Sequence, residues 1–193
     1  MRDEEKLQVL WDERLITRRL LKFGHSLDTK NWIAHTDCFT DPVNIDFSRF
    51  MKFAEVRVSA ALWSRFAAFI LSNAPCHHML SAPDITIEGH DARATVQMIS
   101  SLWTETEQGF TPHRQYGWYE VWLERRGDEW KISRLKHDFR GVDGKAAALV
   151  NHDPAFAKLV QDVFSPANIA AAQTYLTGSM GRTPPLTQST ESK

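Results

Sequence analysis

The stretch HHMLSAPDITIEGHDARATVQMISSLW, residues 77–103, decides the fold, because here the hydrophobic spacing settles into a period of two. Ile85 and Ile87 alternate with polar residues, Gly89 supplies a turn, and Ala94, Val96, Met98 and Ser100 fall on one face of a strand running from Ala92 to Trp103. Alternation of this kind is the signature of a strand with one buried face. Working downstream, a loop is expected around Gly109 and Pro112. Gln115–Arg125 and Glu129–Arg140 then flank Arg126-Gly127-Asp128, which predicts a hairpin.

Upstream the period is helical. Leu7, Leu10, Trp11, Leu15, Leu20 and Leu21 recur among charges as an amphipathic helix. Asp28 and Thr29 are expected to cap a second, short helix through Trp32 to about Asp37, and Asp41-Pro42 opens a strand in which Val43, Ile45 and Phe47 alternate. A third helix is predicted over Ser59–Ser72, ended by Asn73 and Pro75. Three helices followed by a meander of strands is an α+β order, with the helices packed on the concave face of a curved antiparallel sheet.

The last 50 or so residues differ in character. Asp153-Pro154 and Ser165-Pro166 each place a capping residue before a proline at the first helical position. They predict helices over 154–164 and 166–177, the second stopped by Gly178. The expected division is a domain over 1–145, a helical extension over 146–178, and a disordered Ser-, Thr- and Pro-rich tail over 179–193.

Composition excludes several function classes. A net charge of −1, with Arg125 and Arg126 diluted by Glu124, Asp128 and Glu129, leaves no basic surface for nucleic acid. Cys38 and Cys76 are the only cysteines and stand in no ligand spacing, so neither a metal site nor a disulfide framework is expected. Neither a secretory leader nor a membrane span is read, and a cytoplasmic protein is expected. With no glycine-rich phosphate loop or dinucleotide fingerprint, no cofactor is expected, and any chemistry falls to acid/base groups in a cavity. Seven Trp and eleven Phe against three Tyr supply rings for a core and for an apolar pocket. By residue type alone, Asp28 reads as a helix cap and His78 as a hydrogen-bonded core histidine.

SLDTKNW (26–32), VNIDFSRF (43–50), HHMLSAPDITIEGHDARA (77–94) and WKISRLKHDFRG (130–141) together resemble the scytalone dehydratase-like branch of the SnoaL-like, nuclear-transport-factor-2-like superfamily. The likeness covers about residues 5–145 and is shared with bile-acid 7α-dehydratases. It implies a cone-shaped domain enclosing one apolar pocket, in which Asp28 and His78 face each other as a catalytic pair. It further implies a cofactor-free dehydratase acting on a β-hydroxy carbonyl compound, with an isomerase, a cyclase or a non-catalytic binding domain as the other uses of the same cavity. Family tyrosines that hold the substrate carbonyl match Leu27, Phe47 and Phe23 here, a second family His falls near Trp103, and a family Asn near Tyr119. His25, Tyr116 and Tyr119 are the remaining candidates for contact with substrate, of which Tyr119 is expected to point inward. His113 is expected in the loop over the opening and His77 on the outer side of its strand. Exchange of Tyr and Asn for Phe, Leu and Trp favours a hydrophobic polycyclic substrate, such as a hydroxysteroid, a bile acid or a polyketide. Phe156, Val160, Phe164 and Tyr175 of the extension would form a lid or a subunit contact, and relatives of this kind imply a homotrimer or another homo-oligomer.

Overall fold

The computed structural model describes residues 2–71, 74–107, 109–144 and 154–179. Three of its helices correspond to those read from the sequence: α1 (Asp3–Asp28), α2 (Trp32–Asp37) and α4 (Ala60–Leu71), with a single turn, α3 (Ser48–Met51), between the last two. The strands are β1 (Phe39–Asp46), β2 (Val56–Val58), β3 (Cys76–Leu80), β4 (Asp84–Glu88), β5 (Asp91–Thr106), β6 (Gly109–Arg126) and β7 (Glu129–Gly144). They form one curved, open sheet in the order β2-β1-β7-β6-β5-β3, with β4 on β5 beyond β3. Every pairing is antiparallel except β1 with β7, which run parallel because α3, β2, α4 and further strands separate them in the chain.

The β6–β7 hairpin turns where expected. Arg126 pairs with Glu129, leaving Gly127-Asp128 as a two-residue turn, and Gly127 adopts the positive φ of 61° that such a turn requires. The loop expected at Gly109–Pro112 is instead strand. Pro112 pairs with Trp103, just past the point where β7 ends opposite His113. There β6 has a described neighbour on one side only, so a residue without an N–H is tolerated.

Helix α1 buries Ile16, Leu20, Phe23 and Leu27, spaced four, three and four residues apart. Of the residues that marked it in the sequence, Leu20 is among these, while Leu7, Leu10, Trp11 and Leu21 lie on the other side, all more than half exposed. Asp28 does not cap the second helix. It is the last residue of α1, after which Lys30 takes a positive φ, and Asn31 caps α2 by accepting the Ala34 N–H at 3.0 Å. At the end of α1 the helix presses on β3, where a Cβ at Gly24 would meet Leu80 at 3.1 Å.

The extension contains α5 (Pro154–Val163) and α6 (Pro166–Ser179), and Gly178 lies inside the second helix instead of ending it. Asp153, Asn73 and the tail 180–193 lie outside the described residues. Ser165 accepts the Asn168 N–H at 3.4 Å as a cap. Phe156 stacks on Phe66 and Phe69 of α4, Phe164 stacks on Phe53, and the Arg57 guanidinium of β2 lies over the Tyr175 ring of α6. Among the described residues no helix is long and apolar enough to cross a membrane.

Candidate active site

The concave face of the sheet and helices α1, α2, α3 and α4 enclose a pocket of about 90 Å³. Its wall is mostly aromatic and aliphatic, with Phe23, Leu27, Phe47, Phe50, Trp63 and Phe66 prominent, and its polar groups are few: His35, His78, Ser100, Gln115, Tyr119 and His137. A dry wall with sparse polar groups is the usual form of a small-molecule site.

Asp28 and His78 meet at its edge. The ring Nδ1 of His78 lies 2.7 Å from Asp28 Oδ1, and the His78 backbone N–H reaches both carboxylate oxygens at 3.0 Å. The His78 side chain is 5% exposed and that of Asp28 17%. A carboxylate at the C-terminus of a helix faces the negative end of the helix dipole, so Asp28 depends on these donors. Burial pushes its carboxyl up, but the His78 ring and backbone hydrogen bonds outweigh this and hold it below the usual carboxylate range.

An ionised carboxylate can only accept, so Nδ1 of His78 carries a proton, and in the neutral ring Nε2 is the nitrogen with the lone pair. Ser100 Oγ lies 3.0 Å from Nε2, within hydrogen-bond reach, and donates to it when the ring is neutral. The pair is placed by register, since His78 of β3 lies opposite Ser100 of β5, and Ser100 opposite Gln115 of β6. His77 takes the outer side of β3 and is 59% exposed, although its Nδ1 still approaches Asp28 Oδ2 at 3.4 Å.

The other sequence candidates divide. Phe23, Phe47 and Tyr119 line the pocket. Tyr119 is buried, edge-on to Phe23 with ring centres 5.6 Å apart, and burial together with the Asp28 charge pushes its phenol up, so it remains a hydrogen-bond donor. His25, Trp103 and Tyr116 do not line it. His25 is exposed on α1, Trp103 alternates with Ser100 and Leu102 onto the opposite face of β5, and Tyr116 faces outward, donating its hydroxyl to Asp143 at 2.8 Å. His113 is no loop residue: it is buried within β6, with Nε2 3.3 Å from Gln115 Nε2.

Two histidines not singled out in the sequence complete the pocket. His35 of α2 is fully buried, with Nδ1 2.7 Å from Ser64 Oγ of α4. His137 of β7 is 1% exposed, between the rings of Phe47 and Tyr119 at 5.0 and 5.4 Å. Burial, with the charge His78 can carry adding to it, pushes His35 down to about 3. Burial also brings His137 down to about 4, against the opposing pull of Asp138. Both rings are neutral at pH 7. The available sequence signal for His137 is its step of two from Leu135 on a strand with one buried face.

Donor atoms of Asp28, Cys76 and His78 lie within 4.8 Å of one another, a spacing a metal ion could use. Their present bonds oppose it. Lys30 Nζ sits 2.9 Å from Cys76 Sγ, so a cation there would meet an ammonium, and His78 Nδ1 is engaged by Asp28.

A curved open sheet with helices across its concave face and a pocket between them defines the class by its fold, one shared with nuclear-transport-factor-2-like proteins of known structure. Within it, the chain belongs to the SnoaL-like domain family, whose pattern it matches over residues 8–136. Kfla4162 from Kribbella flavida shares the fold with a TM-score of 0.67 at 18% identity, over 70% of this chain and 95% of that one. A candidate scytalone dehydratase from Novosphingobium aromaticivorans superposes with a TM-score of 0.61 at 14% identity, over 74% and 93%. A type 2 hexachlorocyclohexane dehydrochlorinase, LinA, does so with a TM-score of 0.60 at 14% identity, over 77% and 97%. No curated protein matches the chain significantly.

Proposed function

We propose that the chain is a cofactor-free lyase that eliminates water from a β-hydroxy carbonyl compound with a hydrophobic skeleton. The observation that carries this reading is the 2.7 Å contact of Asp28 with His78 Nδ1, which makes Nε2 the basic nitrogen of the neutral ring at the edge of an apolar pocket. Nε2 takes the proton from the carbon beside the carbonyl, and its electrons pass to the carbonyl oxygen as an enolate. Asp28 stabilises the imidazolium so formed. As the enolate collapses, the hydroxyl on the next carbon leaves, and the imidazolium returns its proton to it as water. The protonated Tyr119 phenol is the donor for the enolate oxygen, joined by Ser100 once its hydroxyl turns from Nε2 and frees that nitrogen to take the proton. The names of the two related folds, a dehydratase and a dehydrochlorinase, are both those of eliminations.

Size sharpens the substrate. The pocket of about 90 Å³ is smaller than the engineered cavity of about 150 Å³ that admits benzene, so a ring bound there extends through its open side or displaces part of its wall. The test is mass spectrometry on β-hydroxy ketones graded from one ring to four. Loss of about 18 Da, the mass of the water eliminated, is expected with the wild type and not with His78→Ala. A product of unchanged mass that depends on His78 would make the enzyme an isomerase or cyclase. Turnover undiminished in His78→Ala would end the proposal.

A further inference from the structure

His137 stands apart among the polar groups of the pocket. Neither of its ring nitrogens has a hydrogen-bond partner among the described residues, although the side chain is 1% exposed. By contrast His78 is engaged at both nitrogens and His35 at one, by Ser64. Buried polar atoms without partners are rare and costly in folded proteins. No packing requirement explains this one, because the wall around it is aromatic: Phe47, Phe50, Tyr119 and Phe139 place their ring centres 5.0 to 6.2 Å away. A phenylalanine would fill the same space without the polar cost.

We infer that His137 binds an oxygen of the ligand, donating its ring N–H to a carbonyl or exchanging hydrogen bonds with a hydroxyl. Because it is neutral, the ring offers one donor and one acceptor and asks for no counter-charge. Its place is distinct from that of the Asp28–His78 pair. His137 lies opposite Tyr119 on β6, four residues along from Gln115, which lies on the Ser100–His78 row. The inference rests on the proposed pocket function and adds to it a substrate class: an apolar skeleton with a second hydrogen-bonding oxygen, away from the carbon that loses its proton.

The experiment is a binding cycle with cyclohexanone and its carbon isostere methylenecyclohexane, followed by NMR on the intact chain with the histidine rings ¹⁵N-labelled. His137→Phe is expected to shift the ratio of the two dissociation constants about tenfold toward the hydrocarbon, the effect of one lost hydrogen bond. His137→Gln, which restores a donor, is expected to recover part of the preference. In the wild type the ketone alone should move the His137 ring ¹⁵N signals. An unchanged ratio in His137→Phe, failure of both probes to bind, or a preference lost in His78→Ala and kept in His137→Phe would overturn the inference. The last result would leave the proposed reaction standing. Loss of the preference in His137→Phe, together with a wild type that dehydrates nothing, would do the reverse.

Discussion

Replacing Asp28 by asparagine keeps the size of the side chain and one acceptor oxygen, and removes the negative charge. In the resting pocket that charge accepts the His78 Nδ1–H at 2.7 Å, and at the transition state it faces a ring that has gained a second proton. Opposite unit charges about 4 Å apart interact by about 4 kcal/mol at an effective dielectric constant of about 20. A hydrogen bond to a charged group contributes about 1.5–3 kcal/mol by the mutational measure. The two figures describe largely the same contact, so they are not added. With the Asp28 side chain 17% exposed and water screening part of the field, the expected loss is about 3–4 kcal/mol. That corresponds to roughly a 10²- to 10³-fold fall in kcat/KM. Stability should fall modestly, since the contacts that hold the Asp28 carboxyl low are weakened, although the amide oxygen of the Asp28→Asn variant still accepts the His78 backbone N–H and the uncharged group no longer opposes the helix dipole. The assay is kcat/KM for a β-hydroxy ketone that the wild type dehydrates, alongside thermal unfolding. A kcat/KM within about threefold of the wild type, with the fold intact, would refute the reasoning that Asp28 stabilises a protonated His78.

The buried neutral histidines make stability fall with acid. His35 is held at about 3 and His137 at about 4 in the folded state, against about 6.5 unfolded. Their contribution is therefore complete above about pH 6.5 and is lost as pH falls toward the folded values, at about 1.4 kcal/mol per pH unit for each ring. Urea midpoints between pH 7 and 5 should drop accordingly, with buried His113, also held below its usual value, adding to the fall, and His137→Phe should make the slope shallower; a flat profile would contradict it. Asp28, Asp12 and Asp37, whose carboxyls are held low, lose their contributions only below about pH 4. Gly117→Ala should destabilise by about 1–3 kcal/mol, because its Cβ would run into the Asp138 carbonyl of β7; a chemical-denaturation curve like the wild type's would count against that. Met79, Ile99 and Tyr116 stand in register on the outer sheet face, each at least 36% exposed. The homotrimer expected from the sequence would cover this row, so light scattering should show Ile99→Glu reduced to the mass of a single chain. An unchanged mass would place the contact elsewhere.

Much of the sheet was legible because its cues are local. The alternation from Ala92 to Ser100 and the two-residue turn at Gly127-Asp128 each determine a strand or a hairpin without help from distant residues. The end of α1 was not, because HSLD continues a helical pattern with no breaker, and Asp28 competes with Asn31 as a cap. Pro112 misled for a related reason: whether a proline breaks a strand depends on how many neighbours that strand has at that point. In the pocket, the meeting of Asp28 with His78 came from family resemblance, since 50 residues separate them and spacing carries no such information. His137 carries no mark of its own within LKHDFRG, because what sets it apart is its surroundings, an aromatic cage with no polar partner among the described residues.

His78 is the base in this mechanism, and the most direct measurement of that role is exchange of the proton beside the carbonyl with solvent deuterium. Followed by NMR in D₂O on a bound ketone that cannot lose water, it isolates the first step. The wild type should exchange that proton catalytically, Asp28→Asn should do so roughly 10²- to 10³-fold more slowly, and His78→Ala not at all. Exchange by His78→Ala at the wild-type rate would contradict the assignment of His78 as the base.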